Sequence, residues 1–166
     1  MRCIGILCIV LACSGLGMYQ AGRLQRDARA HDLLLSLLSE CGVYIRTMQT
    51  ELPELLVLLS EKPAYREFGF LRRAGEQMTP GCMPGTVVCE AIRRDSGIPV
   101  AVQETLIRLG SVLGTTDLEG QLAALELARA EISRSGAEAH AKSTVQGRLF
   151  RLLGMLGGAM LAVLLM

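Results

Sequence analysis

Residues 109–121 read LGSVLGTTDLEGQ, and this order of residues describes the end of one helix, a corner, and the start of another. Leu109 and Leu113 continue a stripe begun by Val102 and Leu106, at steps of four and three that place all four on one helical face. Gly114 follows as a C-cap, because glycine enters the left-handed conformation without a Cβ clash. Thr116-Asp117-Leu118-Glu119 has the spacing of a capping box. In that arrangement the Thr116 hydroxyl meets the Glu119 amide and the Glu119 carboxylate reaches back. Gly120 and Gln121 are expected to permit close packing where the helices cross. Leu118, Leu122, Leu125 and Ile132 form the inward face of the second helix.

The same logic extends towards the N-terminus. Leu34, Leu38, Cys41, Ile45, Met48 and Leu52 recur at helical spacing and predict a helix from about Gln25 to Thr50. Pro53 suits the first turn of the next, Glu54–Ser60, because its missing N–H has no partner to lose there. A third helix is expected over Pro63–Gln77, burying Phe68, Phe70 and Leu71. Thr79–Gly85 (TPGCMPG) is the sharpest break in the chain, with two Pro and two Gly in seven residues. A short helix over Thr86–Asp95 follows, ended by Ser96-Gly97, and Pro99 opens the helix that leads to the corner. Residues 133–146 (SRSGAEAHAKSTVQ) lack an apolar stripe and read as a solvated helix. No alternating run of β-branched residues occurs, so the fold class is all-α.

The two ends are different in kind. Cys3 to Gly22 is a run of 20 residues without a charge, about 30 Å as a helix and so the thickness of a hydrocarbon core. Leu149 to Met166 gives 18 residues, with Arg151 reaching to the interface and Gly154, Gly157 and Gly158 open to a neighbouring helix. The second segment reads as a span, with a packed hydrophobic tail as the other reading. Arg23, Arg26, Arg29, Lys142, Arg148 and Arg151 flank the segments on the inner side, against Arg2 alone outside. The positive-inside rule then places the middle in the cytoplasm and both termini outside. The expected organisation is a transmembrane segment at 1–22, a cytoplasmic helical bundle at 23–148, and a transmembrane segment at 149–166. The alternative is a lipoprotein: Val10-Leu11-Ala12-Cys13 resembles a processing site, which would lipidate Cys13 and put a helical binding domain outside the cytoplasm.

Charge and composition exclude several functions. Of the 166 residues 51% are hydrophobic and only 4% aromatic, with no Trp to stack on bases. All 16 acidic residues lie between Asp27 and Glu138, and the interior from Leu24 to Gly147 holds 13 basic residues against them, a net −3. That argues against a nucleic-acid-binding face. Three of the six Cys lie in the first apolar run, so no disulfide framework is expected. His31 and His140 sit on polar stretches and read as solvated. Cys82 and Cys89 lack the spacing and His partners of a zinc site, and no phosphate-binding glycine loop is present. Glu51, Glu54, Glu61 and Glu67 read as a solvated face, and Arg72-Arg73 and Arg93-Arg94 as solvated basic pairs. The expectation is a chain without enzyme activity, cofactor, metal or small-molecule substrate.

The corner also brings a resemblance. Leu109-Gly110, Leu113-Gly114, Thr116-Asp117 and Glu119-Gly120-Gln121, an LG…LG..D.EGQ pattern, resemble the stage III sporulation protein AB family. The likeness extends to Glu51-Leu52-Pro53-Glu54-Leu55-Leu56, to the break before Glu90-Ala91, and to both hydrophobic ends. Ile92 departs from it, since the family commonly has Trp there. The resemblance implies a structural or adaptor component of the sporulation complex linking mother cell and forespore, in the mother-cell membrane. It also implies a soluble domain similar to the platform protein of type II secretion. Its partners would be the membrane and other proteins of that channel complex, with an ATPase of the complex as one candidate. Leu109, Gly110, Leu113, Gly114, Thr116, Asp117, Glu119, Gly120 and Gln121 are then either a structural corner or a direct contact with a partner.

Overall fold

The computed structural model describes residues 2–48, 51–79 and 82–164, of which the side chains of 2–14, 16–17, 48, 150–151 and 153–164 are outside the described set. In order these form α1 (Arg2–Met48), α2 (Leu52–Glu61), a 3-10 turn (Pro63–Tyr65), α3 (Gly69–Gln77), α4 (Pro84–Arg93), α5 (Val100–Val112) and α6 (Leu118–Leu164). No strand occurs among the described residues, so the all-α expectation holds. Thr50, Pro80 and Gly81 lie outside the described residues, as do the side chains at Cys3, Cys8, Cys13, Gly154, Gly157 and Gly158.

The chain divides into two compact units, residues 30–136 and the two ends, 1–29 with 137–166. In the first, α2 packs on α3, α3 on α4, and α4 on α5. Leu34, Leu37, Leu38, Cys41 and Ile45 from α1 and Leu125, Ala128 and Ile132 from α6 complete the core. The stripes explain which faces meet. Leu34, Leu59 and Ile132 are wholly buried, and Leu55, Leu71, Val102 and Leu125 nearly so, each contributing about 2 kcal/mol of hydrophobic stabilisation. Arg108 and Thr105 of α5 both reach the Glu131 carboxylate of α6, at 2.6 and 2.8 Å, and fix that pair of helices at its edge.

The expected helix over Pro63–Gln77 is interrupted. After the 3-10 turn the backbone leaves helical geometry, with Phe68 at φ −95°, ψ 85°, and resumes at Gly69. The detour drops the Phe68 ring into the core, where it is 2% exposed. The new helix start is capped from a distance: the buried Asp95 accepts the Phe70 amide at 2.5 Å. Pro84 and Gly85, expected in the break, instead begin α4, with Pro84 in its first turn.

In the other unit the residues turned inward are small. Ala21, Ala28, Ala139 and Gly147 are buried, and a Cβ on Gly147 would sit 3.9 Å from that of Ala21. The residues turned outward include Met18, Tyr19, Val145, Leu149 and Leu152, each more than half exposed. Among the described residues no helix is long and apolar enough to cross a membrane. The spans expected at 3–22 and 149–166 fall mostly on side chains outside the described set.

Candidate functional site

The corner between α5 and α6 is built as a set of local bonds that end one helix and begin the next. Leu113 donates its amide to Leu109 at 3.0 Å, and Gly114 then turns to φ +77°. That glycine is the one described residue of its type with positive φ, and it is the C-cap the sequence anticipates. The last carbonyls of α5, which have no helical partner, are taken by hydroxyls. Thr115 donates to Ser111 at 3.1 Å and Val112 at 2.9 Å, and Thr116 donates to Val112 at 3.3 Å.

The capping box expected at Thr116 and Glu119 is therefore replaced. The Thr116 hydroxyl turns back to α5, and the Gln121 side chain donates across the corner to the Thr116 carbonyl at 2.8 Å. The close crossing expected at Gly120 belongs instead to Gly110. A Cβ there would lie 2.8 Å from Val88 Cγ1 of α4, and one on Gly85 would lie 3.1 Å from the Gly110 carbonyl oxygen. Gly120 makes room for something smaller: a Cβ would sit 2.7 Å from Asp117 Oδ1, the carboxylate folded over the first turn of α6.

The nine candidate residues thus divide. Leu109, Gly110 and Leu113 are buried and structural, Gly120 and Gln121 are half-buried, and Gly114, Thr116, Asp117 and Glu119 are exposed. Beside the exposed part lies a half-open cavity of about 310 Å³, lined by Ile45, Leu52, Leu55, Gly114 and Leu118 with Glu51 and Gln121 at its edge. An apolar floor and a single acidic group offer contact, with no pair of groups set for proton transfer.

Three polar features escaped the sequence. The first is Asp95, which receives Phe70 N–H and Gly97 N–H (2.9 Å) and pairs with Arg73 at 3.2 Å, so Arg73 is not the solvated residue it resembles. The second is His31, expected on the surface but 1% exposed, its Nε2 at 3.0 Å from Ser135 Oγ. The third joins Glu40 to Lys62 (2.5 Å), with the ammonium 5.3 Å over the Tyr44 ring and Tyr65 buried alongside. Burial first, then the Glu40 carboxylate, pushes the Tyr65 hydroxyl up to about 12, and burial pushes the Cys41 thiol up to about 12. Burial raises Cys89 as well. At neutral pH these three groups are uncharged, so none supplies a nucleophilic anion. Among the described residues no three His, Cys, Asp or Glu side chains gather as a metal site.

No curated protein and no solved structure matches the chain. The model of one family does, under the description stage III sporulation protein AB, and the match takes in residues 2–166, both ends and the corner included. The chain therefore belongs to the stage III sporulation protein AB family.

Proposed function

We propose that the chain is a membrane-anchored adaptor of the transenvelope complex that joins mother cell and forespore. Both hydrophobic ends span the mother-cell membrane, and the helical domain stands in the cytoplasm. Family membership supports the sporulation role. The observation that carries the membrane reading is at the described edges of the two apolar segments: Ala21 is buried while Met18, Tyr19, Leu149 and Leu152 face out. Small residues inside and large apolar ones outside is the pattern of helices packed in lipid, where close backbone approach replaces hydrophobic burial as the driving force. Exposed Lys142 and Arg148 then stand at the inner interface. Binding is the activity, because the corner presents a surface and no reacting groups. By its family resemblance the domain acts like the platform protein of type II secretion, with an ATPase of the complex among its partners.

Cys82 is exposed and suits a topology test. In a variant that keeps Cys82 and replaces the other five Cys, an impermeant maleimide should label the protein only after lysis. Labelling in intact cells would overturn the cytoplasmic placement. Palmitate incorporation that disappears in Cys13→Ser would establish the lipoprotein reading in its place. A strain lacking the gene should fail to form heat-resistant spores, and normal spore counts would overturn the sporulation role.

A further inference from the structure

The cavity beside the corner has an uneven electrostatic frame. Its lining holds one carboxylate, Glu51, and no Lys or Arg. Asp117 and Glu119 stand on either side of the lining Leu118 in sequence and add two more carboxylates beside it. Glu51, Asp117 and Glu119 are all exposed, and none of the three forms an ion pair among the described residues. The floor is the reverse in character. Ile45 and Leu55 are buried at its base, and Leu118 is 41% exposed at its lip. Gly114 holds the groove open, since it adds no side chain to the wall it shares with Leu52.

We propose that this groove is the docking site for a basic amphipathic helix of a partner protein. The helix lays apolar residues at spacing i, i+3 or i+4 on Ile45, Leu52, Leu55 and Leu118, and sets Lys or Arg against Glu51, Asp117 and Glu119. Helix-in-groove recognition sets apolar anchors in a trough, and carboxylates beside that trough favour a basic helix over an acidic one. The rim acts mainly on encounter and partner choice, and it weakens as salt rises. The inference rests on the reading that the chain works by binding, and it assigns that binding a place and a chemistry. It also explains why the exposed half of the motif holds two carboxylates that the corner's own hydrogen bonds do not use.

The test uses the full chain in neutral detergent with a benzophenone amino acid in place of Leu118. The probe is a biotinylated helical peptide of Leu and Lys at amphipathic spacing, beside its twin with Glu for Lys. Irradiation should attach the Lys peptide at position 118. Attachment should fall about tenfold with the Glu twin, and equally in the variant Glu51→Lys/Asp117→Lys/Glu119→Lys. A benzophenone at Leu127, exposed but outside the groove, should attach little of either peptide. Equal attachment at 118 and 127, or indifference to the triple reversal, overturns the proposal. The three reversed residues are exposed, so an unchanged helical circular dichroism spectrum separates lost binding from lost folding. In cells the triple variant should lower spore counts as deletion does. If deletion blocks sporulation and the triple variant sporulates normally, the groove is overturned and the sporulation role stands. If deletion has no effect, the role itself is overturned, and the crosslinking result alone decides the groove.

Discussion

The two compact units differ in what they bury. Residues 30–136 put Leu, Ile, Val and Phe inside, with most charges outside. In the end unit Ala and Gly are buried, and Met, Tyr, Val and Leu stand among its exposed residues. The proposed placement of the two units accounts for that difference. Water rewards burial of large apolar groups. Lipid is indifferent to them and favours helices whose small residues allow contact.

This contrast predicts the largest mutational difference. Leu59→Ala, at a wholly buried site of α2, should destabilise the domain by about 2–5 kcal/mol. Leu149→Ala, 51% exposed in α6, should change stability by less than about 0.5 kcal/mol. Thermal unfolding of both variants in detergent reads the comparison directly. Equal losses would break it. Leu149→Lys sharpens it: the thermal midpoint should hold while membrane association of the full chain weakens.

Asp95→Ala should come next, at about 3 kcal/mol. It strands the Phe70 amide at the start of α3 and leaves Arg73 without its carboxylate. That magnitude is below the top of the range for buried pairs because the Arg73 side chain is 36% exposed and water screens it. Chemical denaturation measures the loss. Arg73→Ala should do less damage than Asp95→Ala, since the two amides keep their acceptor.

Asp95 also shows why part of the fold was legible and part was not. Helix stripes repeat within seven residues, and proline and glycine act on the backbone where they stand, so α2, α5, the end of α3 at Gln77 and Gly114 could be read from the chain. The cap on α3 joins residues 25 apart and the His31–Ser135 bond joins residues 104 apart. No local pattern encodes either. A histidine on a polar stretch such as Arg29-Ala30-His31-Asp32 reads as solvated until the helix opposite it is known. Within the corner the acceptor decided the outcome. Thr116 has the spacing of a capping box, but the Val112 carbonyl, which has no α-helical partner at the end of α5, lies within its reach. The crossing glycine was misplaced for the same reason, because Gly110 is explained by Val88 on another helix and not by its neighbours in sequence.

Smaller effects belong to the corner glycines. Gly110→Ala should separate α4 from α5 and destabilise by about 1–3 kcal/mol. Gly114→Ala places a Cβ at φ +77° and should lose about 1–2 kcal/mol. Gly114→Asn should recover part of that loss, since Asn tolerates the left-handed region. Full recovery by Asn would assign Gly114 to backbone conformation alone. Loss of spore formation by a stable Gly114→Asn protein would assign it to the open groove as well.

The smallest effect at neutral pH becomes visible only in alkali. Cys41 and Tyr65 have folded-state values raised to about 12 from ordinary values of 9.0 and 10.0, both chiefly by burial, and Lys62 is raised chiefly by its bond to Glu40. For each, the protonated form is favoured by folding. Stability from these groups is therefore complete below about pH 9, and it drains as the unfolded chain begins to lose protons ahead of the folded one. Denaturation midpoints should be flat from neutrality to pH 9 and fall between 9 and 12. Tyr65→Phe removes one of the three contributions, so its midpoint should lie near wild type at pH 7 and decline less steeply above pH 10. A Tyr65→Phe curve parallel to wild type throughout would mean that the hydroxyl ionises as easily in the folded domain as outside it. The Glu40 cluster would then be open to water, and the contrast between a dry core and an apolar outer face would lose its firmest polar marker.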